Sequence, residues 1–234
     1  KFNFDTQWKE IEKLEQKGLN KSLLASVNKI YEQAKKEKNT PQLIRALFYQ
    51  SKINLQTSDE QDIELEIIQN FQKEIDQTKG ADQAFLQSIL AELYHTYYRE
   101  NQWNINQRTA VEQATTDDFR YWTENIFKQK IQELYLKSIE NPKFLKNEKI
   151  QDWSYILEEN KETQGLRPTL YDFLAHRAID YFNSDNQYFY GSNFDAEDTE
   201  IKNKIIRETL ESLIQLHRQK NNKSALAYNE FLLM

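Results

Sequence analysis

The chain has 234 residues, a formal net charge of −6 at pH 7 and 38% hydrophobic residues, and a chain of this length can bury a core without help from metals or disulfides. It contains four Gly, three Pro and no Cys, which excludes disulfides, thiolate metal sites, cysteine nucleophiles and Gly-rich phosphate loops. The acidic balance and the lack of a long basic run argue against nucleic-acid binding, and no apolar run approaches the roughly 20 residues of a transmembrane helix.

Apolar residues recur at every third or fourth position through most of the chain, which predicts amphipathic helices and no β-strands. Trp8, Ile11 and Leu14 share one face of the first predicted helix, and Gly18 ends it. The predicted helices cover, in chain order, residues 6–17, 20–38, 40–57, 58–80, 81–100, 119–139, 169–182, 196–219 and 224–234.

Capping residues set the predicted helix starts. Asn20 is the predicted cap of the second helix, and Thr40 caps the third, with Pro41 at its first helical position. Asp117 or Asp118 is expected to cap the sixth helix. Loops are predicted over residues 101–116, 143–166 and 183–196.

The second to fifth helices look like two helical hairpins of about tetratricopeptide length. We therefore predict an all-α fold of stacked antiparallel hairpins, either a tetratricopeptide-like right-handed superhelix or an irregular α-α array. We expect one helical domain over residues 1–234, with a subdivision into hairpin repeats at 1–100 and a second helical half at 117–234. Since the chain starts at Lys1 and stops at Met234 within an apolar stretch, we expect a fragment of a longer protein.

The histidines are the first candidates for metal ligands or catalytic bases. Glu92 and His95 form a Glu-x-x-His step, but a di-iron bundle needs a second such step, which is missing. A half-buried structural histidine beside Tyr94 and Tyr98 is therefore the favoured interpretation.

Asp172 and His176 are four residues apart and share a helix face. Such a pair can hold one metal ion or orient a base. The alternative, which we favour, is a buried hydrogen bond near a helix N-terminus that Arg177 and Asp180 extend.

The segment from Asp185 to Asp198 is rich in carboxylates, and oxygen-rich loops can bind calcium. The spacing does not match an EF-hand. Glu197 and Asp198 also suit a helix start, so we assign no ligand there.

Aromatic residues are the candidates for partner binding. Tyr188, Phe189 and Tyr190 are consecutive in a predicted loop, and Trp103 lies in another. Exposed, they would stack on sugars or anchor a partner, whereas tucked under the loop they would hold it to the core. We assign no catalytic, cofactor-binding or metal residues and expect no cofactor.

Several short stretches occur together in one protein family. They are the helix around Trp8 and the segments 18–23, 30–34, 39–43, 90–94, 122–123 and 168–180. Together they resemble the N-terminal helical region of the large α2-macroglobulin-like proteins of Bacteroides and its relatives, over about residues 6–182.

The resemblance implies export to the periplasm or cell envelope, with macroglobulin-type β-domains following. Members with a thioester-forming Cys trap proteases covalently. This chain has no Cys, so no functional residue can be transferred.

Three functions remain open. The first is a non-enzymatic helical module that binds a protein partner or the remaining domains of its parent chain, with no small-molecule substrate. The second is a carbohydrate-binding or glycan-processing protein, with Tyr188, Tyr190, Trp103 and Trp153 as stacking residues. A hydrolase would also need two facing carboxylates, which no spacing in the sequence predicts. The third is a metal-dependent helical enzyme built on His95 or His176.

Overall fold

The computed structural model describes residues 2–57, 62–108, 118–157, 165–188 and 196–234, and it describes no side chains for 185–188 and 196–198. These residues include ten α-helices and two short 3-10 helices, and no strand occurs among them. The helices are α1 (Phe4–Gln16), α2 (Asn20–Glu37), α3 (Thr40–Thr57), α4 (Ile63–Gln77), α5 (Gly80–Ile105), α6 (Glu124–Ile139), α7 (Pro142–Leu145), α8 (Leu170–Tyr188), α9 (Ala196–Gln219) and α10 (Lys223–Leu233). The all-α class is confirmed, and the choice between a superhelix and an irregular array stays a prediction.

The chain forms two compact units. The first comprises Lys1–Asp76 with Trp153–Glu158, and the second comprises Gln77–Asp152 with Glu159–Met234. The expected subdivision into residues 1–100 and 117–234 stays a prediction.

The first unit is built on the packing of α2 against α1 and α3. Its buried cluster consists of Trp8, Ile11, Leu23, Val27, Ile30, Ala46 and Ile53. The indole Nε1 of Trp8 donates to Gln42 Oε1 at 2.6 Å, and the Arg45 guanidinium lies 4.1 Å from the ring centroid. The helical spacing of apolar residues seen in the sequence therefore does face a core, and the one polar atom of the indole is satisfied inside it.

The turn between α1 and α2 explains why one predicted cap is wrong. Gly18 has φ +66°, and the Leu19 N–H donates to the Leu14 carbonyl at 3.1 Å, which is a Schellman ending. The chain passes from this ending straight into α2, so Leu19 occupies the cap position and makes no side-chain cap hydrogen bond. Asn20 is the first helical residue instead.

The start of α3 is also shifted by one residue from the prediction. Thr40 is the first residue of the helix, and Asn39 Oδ1 accepts from the Gln42 N–H at 3.4 Å. The side chain of Asn39, rather than that of Thr40, therefore occupies the capping position, and Pro41 follows in the first turn, where its missing N–H costs nothing.

The second unit packs α5 against α6, and α8 against α5, α6 and α9. Aromatic rings fill the core between α5 and α6, with centroid distances such as 4.7 Å for Tyr97–Phe119 and 5.4 Å for Trp122–Phe127. These large side chains offset the modest aliphatic content of the sequence.

Several predicted boundaries in the second unit are wrong. Gly80 begins α5 instead of closing α4, which ends at Gln77, and α5 continues through part of the predicted 101–116 loop to the fully buried Ile105. The predicted helix 119–139 is divided, because a 3-10 turn at Phe119–Tyr121 precedes the extended Trp122. Asp118 caps that turn by accepting from the Arg120 N–H at 3.0 Å.

Two further boundaries complete the unit. The predicted helix end at residue 139 is confirmed, since α6 ends at Ile139 and Pro142 opens α7. The loop predicted from residue 183 is wrong at its start, because α8 continues to Tyr188. The remainder of that segment, residues 189–195, lies outside the described residues.

Candidate functional site

The start of α8 is a reciprocal capping arrangement. The Thr169 N–H donates to Asp172 Oδ2 at 2.9 Å, and the Asp172 N–H donates to Thr169 Oγ1 at 3.2 Å. This is a capping box with Asp in the third helical position, and the Thr169 hydroxyl also donates to Asp172 Oδ2 at 2.6 Å. The helix start predicted at residue 169 is therefore confirmed to within one residue, and the capping box fixes the Asp172 carboxylate inside the second unit.

The other oxygen of Asp172 bonds to a histidine on α9. His217 Nε2 donates to Asp172 Oδ1 at 2.6 Å, and both side chains are 0% exposed. The carboxylate thus accepts three hydrogen bonds, which compensates for much of its lost hydration. The bond also ties the first turn of α8 to the last turn of α9.

His176 lies one turn further along α8 and is held differently. Its Nδ1 donates to the backbone carbonyl of Asp172 at 2.7 Å, so this nitrogen carries the proton in the neutral ring. The ring stacks on Tyr228 of α10 with centroids 5.4 Å apart. Burial, and then the positive charge of Arg167, lower the pKa of His176, so the neutral form is favoured.

Neither imidazole is placed to act on a substrate. Among the described residues, His176 Nε2 and His217 Nδ1 are buried and have no hydrogen-bonding partner. A catalytic dyad needs its outer nitrogen within reach of a substrate proton. The Asp172 cluster, which we define as Thr169, Asp172, His176 and His217, is closed to solvent and joins helices.

The buried hydrogen bond predicted between Asp172 and His176 is confirmed. His176 bonds to the Asp172 backbone carbonyl, whereas the Asp172 carboxylate binds His217, a pairing that the sequence does not predict. The predicted extension through Arg177 is wrong, because Arg177 Nε donates to Ser88 Oγ at 2.9 Å.

The Glu92–His95 step is not assembled into one site. Glu92 accepts from the Tyr135 hydroxyl at 2.8 Å, while the buried His95 ring packs edge-on against Tyr181 at 5.2 Å. Among the described residues, no group of three His, Asp or Glu side chains is arranged to hold a metal ion.

A second polar group lies beside the Asp172 cluster. Ser212 Oγ of α9 accepts from Lys146 Nζ and from the Tyr171 hydroxyl, both at 3.0 Å. Burial lowers the pKa of Lys146, and the nearby charge of Lys220 lowers it further, while Asp172 opposes the shift. This group was not found in the sequence, because its members come from three separate helix regions.

The predicted aromatic binding residues fall into two classes. Trp103, in the last turn of α5, is 75% exposed. Tyr121 is 52% exposed, and it neighbours Trp122, whose carbonyl accepts from the Arg108 guanidinium at 2.7 Å. The other candidates cannot be placed in this way: Phe189 and Tyr190 lie outside the described residues, as does the side chain of Tyr188.

Of the two remaining candidates, the structure describes the side chain of one. Trp153, proposed as a sugar-stacking residue, is 4% exposed and therefore cannot present its ring. The side chains of the acidic segment Asp185–Asp198 lie outside the described residues, so the calcium hypothesis is not tested.

Within the described ranges, no helix is both long enough and apolar enough to cross a membrane. No protein-family model, no curated protein and no solved structure matches this chain.

Proposed function

We propose that this chain is a non-enzymatic helical interaction module whose partner-binding surface includes Trp103. The observation that carries the proposal is the 75% exposure of the Trp103 side chain at the end of a helix whose neighbouring turns are packed. Tryptophan is strongly enriched among the residues that dominate binding energy at protein interfaces. An indole held on a helix loses little conformational freedom on binding.

The surroundings of Trp103 support this assignment. Arg108 fixes the chain beyond α5 to the Trp122 carbonyl, and the exposed Tyr121 belongs to the same short 3-10 turn that precedes Trp122. Two exposed aromatic side chains are thus carried by segments that are bonded to each other. This composition suits a protein surface with an apolar centre and a polar rim.

The closure of the Asp172 cluster favours a scaffold over an enzyme. Its carboxylate and both imidazoles are 1% exposed or less, and they serve as hydrogen-bonding partners of one another and of the α8 backbone. A surface cavity of about 210 Å³ in the second unit is smaller than the roughly 300–1,000 Å³ of typical ligand sites, and no histidine lines it.

We further infer, from the sequence resemblance, that the module is the N-terminal part of a large exported α2-macroglobulin-like protein in the periplasm or cell envelope. Its partner is then either the remainder of the parent chain or a protein that the parent captures. The α-helical stack would position the β-domains that follow.

The test begins with the complete reading frame that encodes the chain. Any β-rich domains that follow are produced separately, and their affinity for this chain is measured by calorimetry. Trp103→Ala should weaken binding by about 30-fold, the loss expected for a central aromatic. Phe144→Ala is the matched control, since Phe144 is an exposed aromatic of the same unit, and it should change affinity by less than about twofold.

Two outcomes would contradict the proposal. A reading frame without macroglobulin-type domains would overturn the parent assignment. Equal losses for Trp103→Ala and Phe144→Ala would overturn the assignment of the surface.

A further inference from the structure

A surface cavity of about 210 Å³ opens between three helices of the second unit, and we name it the Phe144 cavity. It is lined by Gln83 and Gln87 from the first two turns of α5, by Lys137 and Glu140 from the end of α6, and by Phe144 from α7. Residues three or four positions apart share a helix face, so α5 and α6 each contribute two long polar side chains to the same space. The cavity is smaller than the roughly 300–1,000 Å³ of typical ligand sites, and it therefore suits a small ligand.

Three polar side chains that line the Phe144 cavity have no partner within the described part of the chain. They are the half-buried amide of Gln87, the carboxylate of Glu140 and the amide of Asn141. Asn141 holds the capping position of α7, yet its side chain makes no capping hydrogen bond. An amide offers two donors and an acceptor, and a carboxylate offers acceptors, so the lining can both donate to a ligand and accept from it.

An apolar surface lies beside these polar groups. The Phe144 side chain is 65% exposed, and no ring or cation among the described residues covers it. Ala84 and Leu145 are buried and supply further apolar lining. The ring of Phe144 is thus available for stacking next to groups that form hydrogen bonds.

The charges at the cavity disfavour an anionic ligand. Lys137 is the one cation among the residues that line it, and its Nζ already donates to Glu133 on the preceding turn of α6 at 2.6 Å. Glu140 has no cation partner among the described residues. A neutral ligand that uses both amides therefore suits the cavity better than an anion, which Glu140 would repel.

We propose that the Phe144 cavity binds one neutral sugar ring. A pyranose carries C–H groups on its faces and hydroxyl groups around its edge. One face would stack on Phe144, while neighbouring hydroxyls would bond to the Gln87 and Asn141 amides and to the Glu140 carboxylate. Glycoside hydrolysis needs two carboxylates and the lining holds one, so the site binds a sugar without cleaving it. This inference is independent of the proposed protein-binding surface around Trp103.

The experiment titrates the ¹⁵N-labelled chain with the methyl glycosides of D-glucose, D-galactose, D-mannose and N-acetyl-D-glucosamine and follows the binding by NMR. We expect at least one of them to saturate with a dissociation constant of about 1–10 mM, the range for a ligand of about twelve heavy atoms. The side-chain amide signals of Gln87 and Asn141 should shift with it. Methyl D-glucuronide should bind about fivefold more weakly than methyl D-glucoside, because its carboxylate is repelled by Glu140.

Substitutions then locate the site. Phe144→Leu keeps an apolar side chain but removes the ring, and it should weaken binding by about fivefold. Gln87→Ala removes hydrogen bonds to the hydroxyls and should also cost about fivefold. The matched controls are Tyr121→Leu, which removes another exposed aromatic of the same unit, and Gln215→Ala, which removes an exposed glutamine of α9. Each control should change the affinity by less than about twofold.

Melting temperatures establish that each variant is folded, and Asn141→Ala provides the test if Gln87→Ala is not. The proposal is overturned if none of the four glycosides binds saturably, or if the site variants and the controls lose affinity equally. Glucuronide binding as tight as glucoside binding would also overturn it.

Discussion

Among the described residues, each of the two units buries one carboxylate, and the two carboxylates are satisfied in different ways. In the first unit, Glu74 is 2% exposed and accepts from Lys35 Nζ at 2.9 Å and from the Tyr31 hydroxyl at 2.5 Å. In the second, Asp172 is 0% exposed and accepts from Thr169 and His217, which are themselves buried.

The partners of the two carboxylates differ in their exposure to water. Lys35 is 36% exposed, so part of its charge stays hydrated and the side chain can move away if its partner is lost. His217 has no such escape, because its ring is fully enclosed. A buried acid with a hydrated cation should therefore tolerate change better than a buried acid paired with enclosed donors.

The largest expected effect is at Asp172. Asp172→Ala removes the carboxylate half of the α8 capping box and leaves the Thr169 and His217 donors unpaired in the core, which should destabilise the protein by about 3–5 kcal/mol. Urea denaturation followed by circular dichroism measures the change. Asp152→Ala, at an exposed position, is the control and should lie within about 0.5 kcal/mol of the wild type. A loss below about 1 kcal/mol for Asp172→Ala would contradict the account.

A smaller effect is expected at Glu74. Glu74→Gln keeps an oxygen that can accept from the Tyr31 hydroxyl, and Lys35 can return to water, so the loss should be about 1–2 kcal/mol. The same denaturation experiment applies. A loss of stability as large as that of Asp172→Ala would contradict the claim that a hydrated partner makes Glu74 more tolerant of substitution.

The stability of the second unit should depend on pH through His176. Because its pKa in the folded protein lies below the ordinary value of 6.5, the unfolded state takes up the proton first as the pH falls. The stability that this neutral ring contributes is complete above about pH 6.5 and is progressively lost below it. His176→Gln should remove that part of the dependence between pH 7.5 and 5. Identical pH profiles for this variant and the wild type would contradict the buried, neutral assignment.

The smallest expected effect on stability is at Trp103. Its exposed indole contrasts with Trp8, which is buried and bonded to Gln42. Trp103→Ala should change the unfolding free energy by less than about 0.5 kcal/mol, whereas Trp8→Ala should cost about 3–5 kcal/mol. Thermal unfolding of both variants checks this, and comparable losses would show that Trp103 is a structural residue.

The fold class was predictable because period-3.6 spacing does not depend on distant parts of the chain. Trp8 and Ile11, for example, are buried on the predicted face. The errors arise where local rules compete. Asn20 is a good capping residue, but the Schellman ending at Gly18 leaves Leu19 in the cap position.

The extension of α5 to Ile105 was not predicted, because the residues around it are polar. Asn101, Gln102 and Asn104 make the end of α5 look polar, yet Ile105 lies seven residues after Tyr98 and both are fully buried. That spacing of two helical turns was the available signal, and it was missed because the segment is polar on average.

The candidate site was only half predictable. The Thr169–Asp172 capping box is local and can be read from a Thr-x-x-Asp spacing. The His217 partner lies 45 residues away, and no local pattern links the two. The same limit applies to Lys146, Tyr171 and Ser212, whose contact depends on how three helix regions pack.

The most direct test of the closed Asp172 cluster is a double-mutant cycle between Asp172→Asn and His217→Gln, measured by urea denaturation. If the carboxylate and the imidazole form the buried bond that joins α8 to α9, their coupling free energy should be about 1–3 kcal/mol. Losses that add to within about 0.3 kcal/mol would contradict that bond and, with it, the structural role of the cluster.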